Sequence, residues 1–158
     1  RHLHNMTTLN TRPLLRMDID CHKPHELGQT SRGHRRVVVV SDGRFEGPRL
    51  SGSILPGGGD LALIRPDGVF EPDAQFLLST DDGALIHLRY RGVWHAPPPV
   101  LERLMKREGP VDPSAYYFRT AVFFETGAEP YLWLNRLLAI GVGEPRMGGI
   151  IYQVHEVL

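Results

Sequence analysis

The chain has 158 residues, of which 41% are hydrophobic and 23% are charged, the values of one ordinary globular domain. Its 18 basic and 18 acidic side chains balance, so it has no cationic surplus for a phosphate backbone and we expect no nucleic-acid partner. No apolar run approaches the roughly 20 residues of a membrane-spanning helix, and we expect no membrane association.

The ends of the chain and its cysteine bear on its location. Residues 1–5 precede the first methionine, Met6, and we interpret them as a remnant of cloning, which leaves a single domain over residues 6–158. No secretory signal is visible, and the one cysteine, Cys21, cannot form an internal disulfide. We therefore expect a cytoplasmic protein.

Short β segments separated by turn residues fill the first two thirds of the chain. The segment 36–40 ends in four valines, whose branched side chains favour strands. Asp42-Gly43 is a strong hairpin signal, and the polar stretch 23–33 is predicted to be a loop. The predicted strands of this part are residues 14–20, 36–40, 49–55, 60–65, 74–80 and 84–94.

One helix interrupts the strands of the remaining third. Apolar residues at helical spacing predict a short helix over residues 99–107, which could lie as a lid over one end of a barrel. Residues 116–126 and 149–157 are predicted strands, and residues 132–141, which suit either a strand or a helix, are assigned to a strand because strands surround them. Many short strands with frequent turns indicate a sandwich or a barrel, and a barrel leaves no exposed sheet edge.

The strand over residues 116–126 carries the densest group of candidate site residues. Alternation places Tyr117, Arg119, Phe123 and Glu125 on one face, whereas the opposite face is almost entirely apolar. The mixed face either points to water or lines a ligand cavity, because ligand sites combine apolar walls with a few polar groups.

Asp60 is a second candidate. It follows three glycines and opens a strand, so a ligand could approach the backbone there, and an apolar site that raised its pKa would make it a general base. Asp81 and Asp82 lie in a turn, where aspartates commonly accept hydrogen bonds from backbone amides.

Trp133 and Asn135 form a third feature. They are two residues apart and would share one face of a strand, where an indole N–H and an amide could orient a carbonyl or hydroxyl group of a ligand. The alternative is a core tryptophan whose N–H donates to a backbone carbonyl.

The known cofactor and metal motifs are missing. Cys21-His22 and His25-Glu26 match no strong zinc pattern, so no metal is expected. The glycine run 57–59 lacks the Lys-Ser/Thr of a P-loop, and no nucleotide or flavin fingerprint occurs. We expect no cofactor.

Six segments, taken together and in this order, resemble the domain-of-unknown-function family 3237. They are residues 43–52, 55–60, 80–84, 117–120, 124–126 and 131–135. The resemblance runs from about residue 36 to the C-terminus and implies a small antiparallel β-barrel, similar in shape to calycin-like and allene-oxide-cyclase-like barrels. The positions that match the family motifs are Glu46, Asp60, Asp82, Arg119, Glu125, Trp133 and Asn135.

These observations predict an all-β fold, a single calycin-like barrel with one short helix, that binds a small, partly hydrophobic organic molecule. As a cofactor-independent lyase, isomerase, cyclase or hydratase it would use Asp60 or Glu125 as acid or base and Arg119 to stabilise an anion. The residues expected to bind substrate are Glu46, Asp82, Tyr117, Phe123, Trp133 and Asn135.

Two other functions remain open on the sequence. One is a carrier or sensor that binds a hydrophobic ligand without chemistry, and the other is an interaction module with a filled core. A homodimer is expected, because β chains of this size often pair through a sheet edge.

Overall fold

A computed structural model describes residues 6–106 and 109–158 of the chain. Within them lie eleven strands, one α-helix, α1 (Pro98–Lys106), and two short 3₁₀ helices, Pro113–Ala115 and Glu129–Arg136. The strands are β1 (Thr11–Cys21), β2 (His25–Thr30), β3 (Gly33–Glu46), β4 (Ser51–Ile54), β5 (Gly59–Ile64), β6 (Phe70–Glu71), β7 (Asp73–Thr80), β8 (Leu85–His95), β9 (Tyr117–Glu125), β10 (Ala139–Arg146) and β11 (Gly149–Val157).

The strands form one antiparallel sheet that closes into a barrel. Closure comes from β1, which pairs with β11 on one side and with the second half of β3 on the other. The first half of β3 pairs instead with β2 and β5, and β5 also pairs with β7. The predicted antiparallel β-barrel is thereby confirmed.

The two ends of the barrel differ in how they are closed. We call one the cavity end; it contains Cys21, the start of β7, the end of β8 and helix α1. The other, the capped end, contains the end of β7, the start of β8 and the 3₁₀ helix Glu129–Arg136, hereafter the cap helix. Leu134 of the cap helix is completely buried and belongs to the hydrophobic core.

Strand alternation places the core inside the barrel. Along β9, Phe118, Thr120, Val122 and Phe124 are buried, whereas the residues between them are exposed or half-buried. Large apolar side chains fill the half of the barrel near the cap. They include Leu14, Met17, Phe45, Ile54, Leu78 and Ile86.

The structure corrects two sequence-based predictions in the first half of the chain. The stretch predicted as a loop over residues 23–33 contains β2, which pairs with β3. Asp42-Gly43 is no hairpin turn but lies within β3, opposite Asp20 and Ile19 of β1. A Cβ at Gly43 would lie 2.7 Å from the Asp18 carbonyl oxygen, so the glycine here permits the close approach of β1.

The sequence-based predictions for the later part of the chain are correct except for one. Helix α1 lies where a helix was predicted, although residue 107 is outside the described residues. The strand predicted over residues 132–141 is wrong, because its first half is the cap helix and β10 begins only at Ala139. Pro130 in the first turn of the cap helix favours a helical start. No helix in the described residues has both the length and the apolar character needed to cross a bilayer.

Candidate functional site

A cavity of about 410 Å³ lies at the cavity end of the barrel; we call it the barrel cavity. Phe70, Trp94 and Phe118 form an aromatic wall, and Asp60 and Cys21 supply polar groups. A smaller cavity of about 40 Å³ shares Asp60 and Cys21 with it and continues toward the core. The volume of the larger cavity is in the range of small-molecule sites.

Helix α1 covers part of this cavity. Its Leu104 and Met105 line the cavity, and Val100 and Leu101 pack against the core with their side chains partly buried. The apolar face that indicated a helix in the sequence therefore contacts the site, as expected of a lid.

The local strand structure directs Asp60 into the barrel. Its Cα lies opposite Val38 of β3 and Ala74 of β7, and Ala74 is buried in the core. Directly opposed residues share one face of a sheet, so Asp60 faces inward. Its Oδ1 accepts a hydrogen bond of 2.8 Å from the backbone N–H of Asp73.

The glycine run before Asp60 has a packing role. Gly57 adopts a φ of +106°, which permits the turn into β5. A Cβ at Gly59 would lie 2.4 Å from the Val38 carbonyl oxygen, and one at Gly58 would lie 2.5 Å from the Gln75 carbonyl oxygen. The space that we expected a ligand to use is thus filled by the neighbouring strands.

The electrostatic environment of Asp60 suits acid–base chemistry. Burial in the barrel raises its pKa to about 6, with a contribution from the nearby Asp73 charge, against the opposing effect of the Asp73 N–H bond. Both the protonated and the ionised carboxyl group are therefore populated near neutral pH, as general acid–base catalysis requires.

Three other polar groups lie near Asp60. Burial, with a contribution from the Asp60 charge, raises the pKa of the Cys21 thiol to about 11. Tyr152 donates a hydrogen bond to Tyr90, with 3.0 Å between their hydroxyl oxygens, and burial raises the pKa of both tyrosines well above the ordinary value. All three groups are neutral at physiological pH, and the carboxyl of Asp60 is the group poised to exchange a proton.

Basic side chains border the cavity mouth: His22, Lys23 and Arg36 all line it. Arg36 is held in place by Glu26, whose Oε1 accepts a hydrogen bond of 2.6 Å from Arg36 Nε. Glu26 also forms a 2.7 Å contact with His34 Nε2.

The mixed face of β9 lies outside the barrel. Tyr117 and Phe123 are about half exposed, Glu125 is exposed and Arg119 half-buried. Arg119 Nη1 donates a hydrogen bond to the Phe118 carbonyl and its guanidinium lies 5.3 Å from the Tyr117 ring centroid. None of these four side chains lines the barrel cavity, so the structure does not bring them together with Asp60.

Asp82 and Glu46 lie at the other end of the barrel from Asp60. Asp60 lies opposite Ala74, near the start of β7, whereas Asp82 lies two residues beyond the last residue of β7, Thr80. The two aspartates are therefore separated by about 20 Å or more along this strand. Asp82 accepts hydrogen bonds from the hydroxyls of Thr80 and Tyr131, and these bonds lower its pKa. Glu46 is exposed at the end of β3.

Trp133 and Asn135 also belong to the capped end. Trp133 Nε1 donates to the Pro130 carbonyl at 3.1 Å, and Arg49 lies 3.8 Å from its ring centroid. Asn135 accepts from Thr126 N and donates to Thr126 O, both at 2.8 Å. The Asn135 bonds attach the cap helix to Thr126, just after β9. The Trp133 bond stays within the cap helix, and its backbone acceptor is of the kind that the structural alternative for Trp133 named.

Sequence reasoning missed most of the cavity lining. Trp94 had a usable signal, since alternation along β8 places it on the same face as Tyr90. Arg36 and Cys21 had no such signal in the sequence, because their positions depend on pairing between strands that are far apart in sequence. Among the described residues, no three His, Cys, Asp or Glu side chains are grouped so that they could hold a metal ion.

Comparison with known proteins identifies the family. Residues 9–157 match the family described as a protein of unknown function, DUF3237, and the chain belongs to this family. A UPF0311 protein of Rhodopseudomonas palustris is 37% identical over 131 residues, which cover 83% of this chain and 85% of that protein. The crystal structure of a β-barrel-like protein from Acinetobacter baumannii has a TM-score of 0.84 and 34% identity, and covers 98% of this chain and 99% of that one.

One relative carries the name of an enzyme. The hydroalkoxylation enzyme phnH of Penicillium herquei is 30% identical over 107 residues, which cover 68% of this chain and 56% of that protein. The crystal structure of an enzyme from the same fungus has the same fold, with a TM-score of 0.72 at 23% identity over 97% of both chains.

Proposed function

We propose that this member of the DUF3237 family is a cofactor-independent acid–base catalyst that acts on a small, partly hydrophobic organic molecule bound in the barrel cavity. The observation that carries the proposal is the placement of Asp60, a carboxyl group with a pKa of about 6, in an apolar cavity large enough for such a molecule. Burial holds the Asp60 carboxyl at a pKa at which it can both deliver and accept a proton near neutral pH.

The reaction class we propose is the addition of the O–H bond of an alcohol or phenol across a carbon–carbon double bond, or the reverse elimination. The fungal relative named as a hydroalkoxylation enzyme supports this class. Protonated Asp60 gives its proton to one alkene carbon while the hydroxyl oxygen bonds to the other. The proton released from that oxygen then returns to the Asp60 carboxylate, so the carboxyl is restored and the net change is addition of O–H.

The test is a cyclisation assay with a panel of alkenyl phenols, with and without a carboxylate on the ring, in deuterated water, followed by mass spectrometry. We expect a cyclic ether carrying one deuterium on carbon with the wild-type protein and a loss of about 100-fold or more with Asp60→Asn. Asparagine has the shape of aspartate and keeps an oxygen for the Asp73 N–H, so the variant isolates the loss of the ionisable proton.

Three matched variants complete the experiment. Arg119→Gln, Glu125→Gln and Asp82→Asn each remove a charge that lies outside the cavity, and we expect all three to retain turnover. Full turnover by Asp60→Asn would overturn the proposal. Tight binding of the phenols with unchanged ligand recovered after long incubation would favour the carrier function instead.

A further inference from the structure

Arg36 has the position of a specificity residue for the barrel cavity. In β3 it lies directly opposite Ala62 of β5, whose side chain is buried. Asp60 is two residues from Ala62 on the same strand, so Arg36 and Asp60 are diagonal neighbours on one sheet face, about 7–8 Å apart at the backbone. The cavity thus has a cation toward its mouth and an ionisable carboxyl farther inside.

The Arg36 guanidinium is oriented before any ligand arrives. Its Nε donates to Glu26, and Glu26 is itself held by His34. Within the described residues neither Nη nitrogen of Arg36 donates a hydrogen bond. A fixed guanidinium with free terminal donors suits bidentate binding of a carboxylate.

The charges around Arg36 define where an anion can bind. Lys23 adds a second cation at the mouth, so that the two cations there outnumber the one Glu26 carboxylate bonded to Arg36. An anionic group near the Asp60 carboxylate would instead be repelled. An anionic ligand would therefore enter with its charged group at Arg36 and its uncharged part toward Asp60.

The aromatic wall defines the shape of the uncharged part. Trp94 stacks on Phe70 with ring centroids 4.4 Å apart and on Phe118 with centroids 5.6 Å apart, at interplanar angles of 19° and 11°. The three nearly parallel rings stack face to face along the sheet and present their edges to the cavity, which favours edge-to-face contacts with a flat ring. Leu104 and Met105 of α1 add an apolar cover.

We propose that the barrel cavity selects planar aromatic acids, with Arg36 binding the ligand carboxylate and the aromatic wall holding the ring. This inference rests on the proposed function for the identity of the site and adds to it the class of substrate. Arg36 is then the residue that sets specificity and orientation, and Asp60 the residue that exchanges protons.

The test uses two probes of nearly equal shape, 2-naphthoate and its neutral amide, 2-naphthamide, in isothermal titration calorimetry. We expect the wild-type protein to bind the acid about ten-fold or more tightly than the amide. Arg36→Gln should reduce that preference to about two-fold or less through weaker binding of the acid, with the amide affinity unchanged.

Arg35→Gln is the matched control, because Arg35 is adjacent in sequence but on the outer face, where it donates to the Leu61 carbonyl and acts on Asp60 only through its charge. It should keep the wild-type preference. Equal binding of acid and amide by the wild-type protein, no saturable binding of the acid at millimolar concentration, or the same loss in Arg35→Gln would each overturn the inference.

The wild-type comparison of the two probes requires no variant, so it remains informative if Arg36→Gln folds poorly. It is also independent of turnover. Asp60→Asn should retain the preference for the acid. Loss of turnover therefore tests the catalytic role of Asp60, whereas the preference for the acid tests the proposed substrate class.

Discussion

Asp60 should make the stability of the protein depend on pH in an unusual direction. Its folded pKa of about 6 lies above the ordinary value of 3.8, so between these pH values the folded state binds more protons than the unfolded state. The free energy of unfolding therefore falls as the pH rises from 4 to 6. Asp60→Asn removes this effect and should raise stability at pH 7.5 by roughly 1–3 kcal/mol, with little change at pH 4.

Asp82→Asn serves as a control, because its effect on the free energy of unfolding should have the opposite sign to that of Asp60→Asn. The hydrogen bonds from Thr80 and Tyr131 lower the Asp82 pKa, so its contribution to stability is present above the unfolded pKa and is lost as the pH falls. Urea unfolding at several pH values should show Asp82→Asn less stable than wild type at neutral pH, with the difference shrinking toward acid. If the change in stability caused by Asp60→Asn did not vary with pH, the claim that burial raises the pKa of Asp60 would be contradicted.

The Cys21 thiol reports on Asp60 without any substrate. Burial and the Asp60 charge both raise its pKa, and only the thiolate reacts with iodoacetamide. At pH 8.5 we therefore expect slow alkylation of the wild-type protein and several-fold faster alkylation of Asp60→Asn, as followed by intact-protein mass spectrometry. Equal rates in the two proteins would mean that the two groups are not neighbours.

At the scale of single elements, the cap helix should be a stability element rather than part of the site. Leu134 is fully buried, so Leu134→Ala should lower the free energy of unfolding by about 2–5 kcal/mol. Leu138, just beyond the cap helix and 57% exposed, gives a matched control, and Leu138→Ala should change stability by less than about 0.5 kcal/mol. Chemical denaturation measures both, and a neutral Leu134→Ala would contradict the assigned role.

The cap helix also marks where prediction from sequence failed. Trp133 and Asn135 were expected to share a strand face, because their neighbours suit a strand as well as a helix. Their actual roles depend on Thr126, which lies in the preceding turn, and on Arg49, which is far away in sequence. A local pattern contains no information about such contacts.

Other elements were predictable for a physical reason. The alternation of β8 and β9 and the helical spacing of α1 arise from burial on one face, so they are visible in the sequence itself. Asp60 was recognised as a candidate because it opens a strand after three glycines, although the space beside two of those glycines is filled by neighbouring strands. The sequence did not reveal which polar strand faces point into the barrel, because the curvature of the closed sheet decides their direction. The mixed face of β9 lies outside the barrel.

At the scale of the whole molecule, the barrel is filled at one end and hollow at the other. The capped end carries the packing, and the cavity end carries Asp60 and Arg36 under helix α1. The family motif residues accordingly divide between the two ends, with Asp60 at the cavity and Asp82, Trp133 and Asn135 at the cap.

The oligomeric state stays a prediction at this scale. Among the described residues, β2 pairs only with β3, so its other edge has free backbone groups that could pair with a second copy. We expect light scattering to give the mass of a homodimer. A mass of a single chain would contradict it.

The pH dependence of kcat/KM, measured with a substrate identified from the alkenyl phenol panel, tests the central claim most directly. The free protein should titrate with an apparent pKa near 6, the value to which burial raises Asp60, and Asp60→Asn should lose the activity across the whole range. A profile that stays flat between pH 5 and 7, or an Asp60→Asn variant with the wild-type profile, would contradict the assignment of Asp60 as the proton-transfer group.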